Sequence, residues 1–173
     1  FATDTVTIFV ADRPNTDLGP DTSICWDGTN TAYFDAGAGF DSYLWNTGET
    51  TQVITPNTSG TYIVEVWNAT CFDTDTVVLT VYPATVANAG SNESVCQGEA
   101  WDFNNSSVEP SVISADSVLW YGGLGSFSDP TLLMPVYQTD PTELGQVILS
   151  MIAYGSGPCG NDTNFMILNV DTV

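Results

Sequence analysis

Apolar and polar residues alternate along several short segments of the chain. The clearest example is segment 60–67, in which Tyr62, Val64 and Val66 share one face. A period of two residues is the pattern of a half-buried β-strand, because successive side chains of a strand point to opposite faces of the sheet. The same pattern predicts strands at 5–10, 76–81, 117–121, 146–154 and 164–170. No long segment shows the 3.6-residue period of an amphipathic helix.

Clusters of Gly, Pro, Asn and Asp separate the predicted strands, at 36–39, 46–48, 56–60, 122–123 and 155–158. Short strands with a turn signal about every 8–12 residues are typical of a β-sandwich. The composition agrees, because Thr and Gly are abundant and suit strands and turns better than helices. The sequence therefore predicts an all-β protein.

Two stretches of the chain, 1–25 and 72–96, repeat each other at a distance of 71 residues. The matching positions are Phe1/Phe72, Asp4/Asp75, Thr5/Thr76, Val6/Val77, Val10/Val81, Gly19/Gly90 and Cys25/Cys96. Each copy is followed by a Leu-Trp pair, which ends at Trp45 or Trp120. We therefore expect segment 1–10 to be the last strand of a preceding repeat in a longer array. Two tandem immunoglobulin-like sandwiches then follow at 11–82 and 83–173, with Trp45 and Trp120 as their buried core aromatics.

The four cysteines fall two to each repeat, and four cysteines allow three connectivities. We expect the pairing Cys25–Cys71 and Cys96–Cys159, which gives one disulfide per domain. A zinc site built from all four is disfavoured, because no CxxC-like spacing is present. Each bridge would stabilise its domain by roughly 4 kcal/mol in the chain-entropy model. A disulfide in every repeat indicates an oxidising, extracytoplasmic setting.

The charge balance excludes several classes of function. The chain has 21 acidic residues, a single Arg, no Lys and no His, which gives a net charge of −20. Without histidine there is no Ser-His or Cys-His catalytic pair. One arginine cannot neutralise a phosphate backbone, so we expect no nucleic-acid partner. No apolar run approaches the length of a membrane span, so we expect no direct membrane insertion. We also expect no enzymatic activity, because the recurrence of an Asp at a repeat position favours a structural role.

Acidic residues are concentrated before the first repeat body and at the start of one strand. Carboxylate oxygens are the ligands that Ca²⁺ prefers, so calcium is the one candidate cofactor. Its candidate ligands are Asp12, Asp17, Asp21, Asp73 and Asp75. The equivalent linker of the second repeat, 82–92, contains no acid. This difference favours the alternative interpretation, in which the acids form a solvated surface that keeps the protein soluble.

Three further tryptophans, Trp26, Trp67 and Trp101, are candidates for a carbohydrate-binding platform. Trp26 and Trp101 each lie shortly after the first cysteine of their unit, at different offsets. We expect all three to pack in the core or at a domain junction.

The order of motifs resembles the PKD-like and immunoglobulin-like repeats of large surface proteins of gliding bacteria that use type IX secretion. In the first unit the resemblance is carried by DLGPDTSIC at 17–25, LWNTGETTQ at 44–52, GTY at 60–62 and DTV at 75–77. The second unit resembles a sister repeat class through 89–96, 119–120 and 125–130. The chain departs from the PKD signature Phe-Gly-Asp-Gly after the tryptophan, since NTGE follows Trp45.

The resemblance also implies a modification. Asp-[Ser/Thr]-apolar is the O-glycosylation signal associated with this group of bacteria, and it occurs at Thr5, Thr76, Ser117 and Thr172. The structural alternative is that Asp-Thr-Val simply begins a strand, since Thr5 and Thr76 are equivalent repeat positions.

These observations together predict a structural stalk or adhesin repeat segment of a long extracellular or cell-surface protein, which projects a distal adhesive or assembling part. The expected partners are neighbouring repeats of the same chain, with other copies in a filament or surface glycans as further candidates. Two alternatives stay open: a carbohydrate-binding accessory module of a secreted hydrolase, and a filament subunit assembled by strand exchange.

Overall fold

The computed structural model describes residues 1, 3–7 and 12–172, and the chain divides into two compact units, Phe1–Val81 and Tyr82–Val173. Both units consist of strands and turns. Within the described residues the one helical element is a single 3₁₀ turn, Phe103–Asn105. The all-β class predicted from the two-residue alternation is therefore confirmed.

The described residues of the first unit form six strands. They are β1 (Thr22–Trp26), β2 (Phe34–Asp35), β3 (Ser42–Trp45), β4 (Val53–Ile54), β5 (Gly60–Asn68) and β6 (Cys71–Pro83), of which β6 runs on past Val81. The larger sheet has the order β1-β6-β5-β3, and β2 pairs with β4 in a second sheet. Strands β5 and β6 form a long antiparallel hairpin, from Gly60 opposite Leu79 to Asn68 opposite Cys71.

The core of the first unit lies under the inward face of β5, where Val64 and Val66 are fully buried. Trp45 on β3 is 1% exposed, and its indole N–H donates to the carbonyl oxygen of Thr51 at 2.8 Å. That bond satisfies the one polar atom of the ring, so the large apolar surface can be buried without an unpaired donor.

In the second unit, nine strands are present over residues 82–172. They are β7 (Val86–Asn88), β8 (Glu93–Cys96), β9 (Ala100–Asp102), β10 (Ser111–Ile113), β11 (Ala115–Gly122), β12 (Ser126–Phe127), β13 (Val136–Gln138), β14 (Gly145–Gly155) and β15 (Asp162–Asp171). The larger sheet has the order β11-β14-β15-β8, and a three-stranded sheet has the order β12-β13-β9. Strand β10 pairs with β7 in a separate ribbon.

The core of the second unit repeats the design of the first with larger side chains. Trp120 on β11 is 2% exposed, and its ring centroid lies 4.5 Å from that of Phe103. Met151 on β14 and Leu168 on β15 are fully buried in the same cluster. Trp45 lies opposite Val64 on β5, and Trp120 lies opposite Met151 on β14. The two tryptophans therefore occupy corresponding places, each on an edge strand of the larger sheet and next to an inner strand.

The beginning of the first unit differs from the expectation of a strand at 5–10. Residues 3–7 are exposed and belong to no strand, and residues 8–10 lie outside the described part of the chain. An extended segment with no neighbouring strand leaves its N–H and C=O groups to water, and such a segment is not a stable strand by itself.

Candidate functional site

Side chains hold the beginning of the first unit against its last strand. We call this set of side-chain-to-backbone hydrogen bonds the strand lock. In the first unit the backbone N–H of Thr16 donates to the carboxylate of Asp73 at 3.1 Å, and that of Leu18 donates to Asp75 at 2.6 Å. In the opposite direction, the N–H of Val78 on the last strand donates to Asp21 at 2.9 Å. The contacts advance in the same direction on both segments, so β1 lies parallel to its sheet neighbour β6.

The second unit has the same strand lock. The N–H groups of Ala87, Ala89 and Ile167 donate to Asp162 (2.8 Å), Asn164 (3.3 Å) and Asn92 (2.8 Å). Strand β8 pairs with β15 in parallel, from Glu93 opposite Leu168 to Cys96 opposite Asp171. Each bond has a counterpart in the first unit. Its residue on the first segment is 71 positions after that of the counterpart, and its residue on the last strand is 89 positions after.

A turn at the start of the strand lock is also shared. Asp17 accepts the N–H of Gly19 at 2.8 Å, and Asn88 accepts that of Gly90 at 3.0 Å. Both glycines have a positive φ, 76° and 88°, a region that side chains other than glycine rarely adopt. A Cβ on Gly90 would lie 2.5 Å from the carbonyl oxygen of Val108, whereas one on Gly19 would meet nothing within 4 Å.

The strand lock explains the acidic residues that were candidate calcium ligands. Asp17, Asp21 and Asp75 accept backbone N–H groups, and asparagine replaces each of them at the equivalent position of the second unit. An amide oxygen accepts a hydrogen bond as a carboxylate does, but it brings no charge to a cation. What the two units share is therefore hydrogen-bond acceptance rather than negative charge. In the described part of the chain no group of three or more His, Cys, Asp or Glu is placed to hold a metal.

Among the candidate calcium ligands, Asp73 has the most hydrogen-bond partners. Besides the Thr16 N–H, it accepts from the guanidinium of Arg13 at 3.3 Å, and Arg13 is the single basic side chain of the sequence. The N–H of Thr16 has the largest effect and lowers the pKa of the Asp73 carboxyl; desolvation opposes it, and the N–H of Thr74 and the charge of Arg13 lower the pKa further. Asp12, the remaining candidate ligand, is exposed.

The structure corrects the predicted cysteine pairing. Cys25 and Cys159 are the disulfide-bonded cysteines, one in each unit, and Cys71 and Cys96 carry free thiols. Neither Cys25–Cys71 nor Cys96–Cys159 is present.

The direction of the first strand gives the physical reason. Because β1 runs parallel to β6, Cys25 lies beyond the level of Val78, near the C-terminal end of β6, while Cys71 begins that strand. Asp21 contacts Val78, so Cys25, four residues later, lies about level with Tyr82. Tyr82 is eleven residues after Cys71 on β6, which is about 36 Å at 3.3 Å per residue. In the second unit Cys96 lies opposite Asp171, and Cys159 precedes Asp162, so at least about 30 Å separates them. A disulfide needs Cα atoms within about 7 Å, so neither unit can close a bridge on itself.

The remaining candidates are the three tryptophans considered for carbohydrate binding and the four hydroxyl residues considered for O-glycosylation. Trp26, Trp67 and Trp101 are all half-buried, and Trp67 stacks on Phe72 with ring centroids 5.0 Å apart. Trp101 packs against the core of the second unit. The four hydroxyl residues of the Asp-[Ser/Thr]-apolar pattern, Thr5, Thr76, Ser117 and Thr172, are all exposed.

Two structural residues escaped the sequence analysis. The hydroxyl of Tyr62 donates to the carbonyl oxygen of Thr58 at 2.8 Å, which makes the tyrosine corner typical of some sandwiches. Its signal in the sequence is Gly60-Thr61-Tyr62 at the start of the strand. The second unit instead buries Glu143, which is 4% exposed.

Glu143 is a buried carboxylate with a complete set of donors. It accepts from the hydroxyl of Tyr137 at 2.7 Å, from the N–H of Asp140 at 2.9 Å and from the N–H of Leu124. Burial opposes ionisation of Glu143, but the donated bonds outweigh it and lower the pKa. Burial, together with the bond to Glu143, raises the pKa of Tyr137. The carboxylate ties the β12–β13 sheet to the start of β14, and no sequence pattern marks it.

Comparison with solved structures identifies the architecture. No family model matches the sequence, and no curated protein matches it. A variant of titin domains I67–I69 matches with a TM-score of 0.56 and 15% identity, over 90% of this chain and 64% of that one. Extracellular domains 3–5 of Drosophila OTK match with a TM-score of 0.56 and 14% identity, over 88% of this chain and 60% of that one.

The immunoglobulin domains 1–4 of Sidekick-1 match with a TM-score of 0.55 and 14% identity, over 89% of this chain and 47% of that one. The fold is immunoglobulin-like. The chain spans less than two thirds of each of these structures. At such low identity the likeness establishes the immunoglobulin-like fold and carries no function with it. Within the described residues no helix is long and apolar enough to cross a membrane.

Proposed function

We propose that this chain is a non-enzymatic, load-bearing segment of tandem immunoglobulin-like repeats in an extracellular surface protein. The observation that carries the proposal is the strand lock, which joins the segment leading into the first strand of the larger sheet to the last strand of the unit, in parallel, and recurs bond for bond in the second unit. Its partners would be neighbouring repeats of the same chain.

The parallel arrangement matters for tension. A pull on the two ends of a unit moves the first strand one way and the last strand the other way along their common axis. The bonds between them are then loaded together in shear instead of being opened one after another. A net hydrogen bond contributes only about 1 kcal/mol, so resistance to force depends on many bonds sharing the load. The strand lock adds three such bonds to the strand pairing of each unit.

Two further features support an extracellular setting. Cys25 and Cys159 are disulfide-bonded, and protein disulfides persist in oxidising compartments. The net charge of −20 keeps copies of an abundant surface protein from associating without specificity. The motif resemblance adds the finer hypothesis of a stalk of a gliding-bacterium surface protein, with O-glycans on exposed hydroxyls such as Thr76 and Ser117.

Pulling the chain from its two ends by single-molecule force spectroscopy tests the proposal. The informative variant is Asp75→Ala, which removes the bond to the Leu18 N–H. Asp41→Ala is its matched control, because Asp41 also accepts one backbone N–H, that of Ala69 at 2.7 Å, away from the β1–β6 pair. We expect D75A to lower the unfolding force of the first unit and D41A to leave it unchanged, since unfolding under load follows the barrier and not the equilibrium.

An equal fall in force for both variants would contradict the proposal, because the strand lock would then be no more load-bearing than any other surface bond. Unfolding of the unmodified chain without a measurable force peak would contradict it as well. All traces should be recorded with a reductant present, so that disulfides do not limit the extension.

A further inference from the structure

The two free thiols occupy positions whose counterparts in the other unit are disulfide-bonded. Cys96 lies 71 residues after Cys25, the same offset as the first-segment bonds of the strand lock. Cys96 is the last residue of β8, and Cys25 is the last but one of β1. Cys71 begins β6, and Cys159 lies one residue before the position that corresponds to Cys71 at the 89-residue offset of the last strand. We call these the strand-end position (Cys25, Cys96) and the hairpin position (Cys71, Cys159).

Each position therefore occurs once as a bonded cysteine and once as a free thiol. The bonded cysteines show that both positions form disulfides in this fold. Neither free thiol can form a disulfide with the other cysteine position of its own unit, because the two positions lie at opposite ends of the same sheet, about 30 Å or more apart. Cys96 is exposed and Cys71 is half-buried, so both sulfurs lie at the surface.

We propose that Cys71 and Cys96 are the two complementary ends of a covalent chain of repeats. In this covalently linked series of copies, the hairpin position of one copy forms a disulfide with the strand-end position of another. The partner of Cys96 is thus a hairpin-position cysteine of a further copy, and the partner of Cys71 is a strand-end cysteine. The linkage is head-to-tail, so each added copy again presents one unpaired cysteine at either end, and the chain stays open when the rotation between copies does not close a ring. This inference rests on the proposed function for the presence of further copies.

The chemistry is a thiol–disulfide exchange with a small disulfide as oxidant. The Cys71 thiolate attacks oxidised glutathione, forms a mixed disulfide and releases one reduced glutathione. The Cys96 thiolate of a second chain then attacks the Cys71 sulfur and expels the second glutathione. The protein thiols lose two electrons and two protons in total, and the glutathione disulfide takes them up as two thiols.

The test mixes single variants of the full chain, Cys71→Ser and Cys96→Ser, with oxidised glutathione at mildly alkaline pH. Each variant has one free thiol, and both should keep the circular dichroism spectrum and the melting temperature of the native chain. Products are separated on non-reducing gels, and bridged peptides are identified by mass spectrometry. Cleavage must be at acidic residues, because the sequence has no Lys and its single Arg precedes Pro14.

We expect each variant alone to remain almost wholly monomeric, the equimolar mixture to form a dimer containing a Cys71–Cys96 peptide, and the native chain to form a ladder of multimers. Random thiol pairing would instead make only about half of the dimers in the mixture heterologous. Symmetric dimers of either variant in comparable yield, a Cys71–Cys96 bridge within one chain, or monomers capped by glutathione would each overturn the proposal. None of these outcomes alters the force test, so a failure here leaves the load-bearing function standing.

Discussion

The replacement of Asp75 separates hydrogen-bond acceptance from charge in the strand lock. Asp75→Ala leaves the Leu18 N–H without its acceptor at 2.6 Å, whereas Asp75→Asn installs the residue that the second unit already uses at Asn164. A bond to a charged acceptor contributes about 1.5–3 kcal/mol when buried. Asp75 is half-buried and water can replace part of the bond, so we expect D75A to destabilise the first unit by about 1 kcal/mol.

That loss corresponds to a fall of about 4–8 °C in the melting temperature of a domain of this size. D75N should fall by no more than about half as much, because the amide keeps the acceptor and loses only the charge assistance. Thermal unfolding followed by circular dichroism and tryptophan fluorescence, with and without calcium chloride, measures both effects. The reasoning would be refuted if D75N were as damaging as D75A, or if calcium raised the melting temperature of the native chain but not that of D75N.

Three other substitutions have matched controls or a defined pH dependence. Met151→Ala, at a fully buried site, should destabilise the second unit by about 2–5 kcal/mol, whereas Ile148→Ala on the same strand, 55% exposed, should change the urea midpoint little. Gly90→Ala should be markedly more destabilising in urea than Gly19→Ala, because both have positive φ but only Gly90 has a carbonyl oxygen at 2.5 Å from the added Cβ. The pKa of Glu143 is lowered in the folded state, so its ionised form stabilises the second unit above its unfolded pKa, and this contribution is lost as the pH falls through the lower folded value. Glu143→Gln should therefore lower the urea midpoint at neutral pH and flatten its acid dependence, and an unchanged acid limb would refute the role of this carboxylate.

The alternation of apolar residues was sufficient to predict the long strands β5, β6, β11, β14 and β15, and Tyr62, Val64 and Val66 are buried on β5 as their spacing requires. The shorter strands, of two to five residues, are too short to show the alternation. The start of β6 was missed, because Asp73 and Asp75 are residue types that strands usually avoid. Their side chains are accommodated there since they accept N–H groups from the segment before β1.

The cysteine pairing could not be deduced from spacing. The pairing depends on whether the first strand runs parallel or antiparallel to the last one, and the parallel arrangement places Cys25 and Cys71 at opposite ends of the sheet. Sequence distance alone contains no information on that direction. Glu143 was missed for a similar reason, because its burial depends on Tyr137 from another strand and on the Leu124 N–H.

Amide hydrogen exchange measured by NMR tests most directly that both units are closed by the same strand lock. The relevant amides are those of Thr16, Leu18 and Val78 in the first unit and Ala87, Ala89 and Ile167 in the second. We predict that all six exchange slowly, at rates set by the unfolding of their own unit, and that D75A selectively accelerates Leu18. Rapid exchange of these amides in the native chain, at the rate of an unstructured loop, would contradict the account.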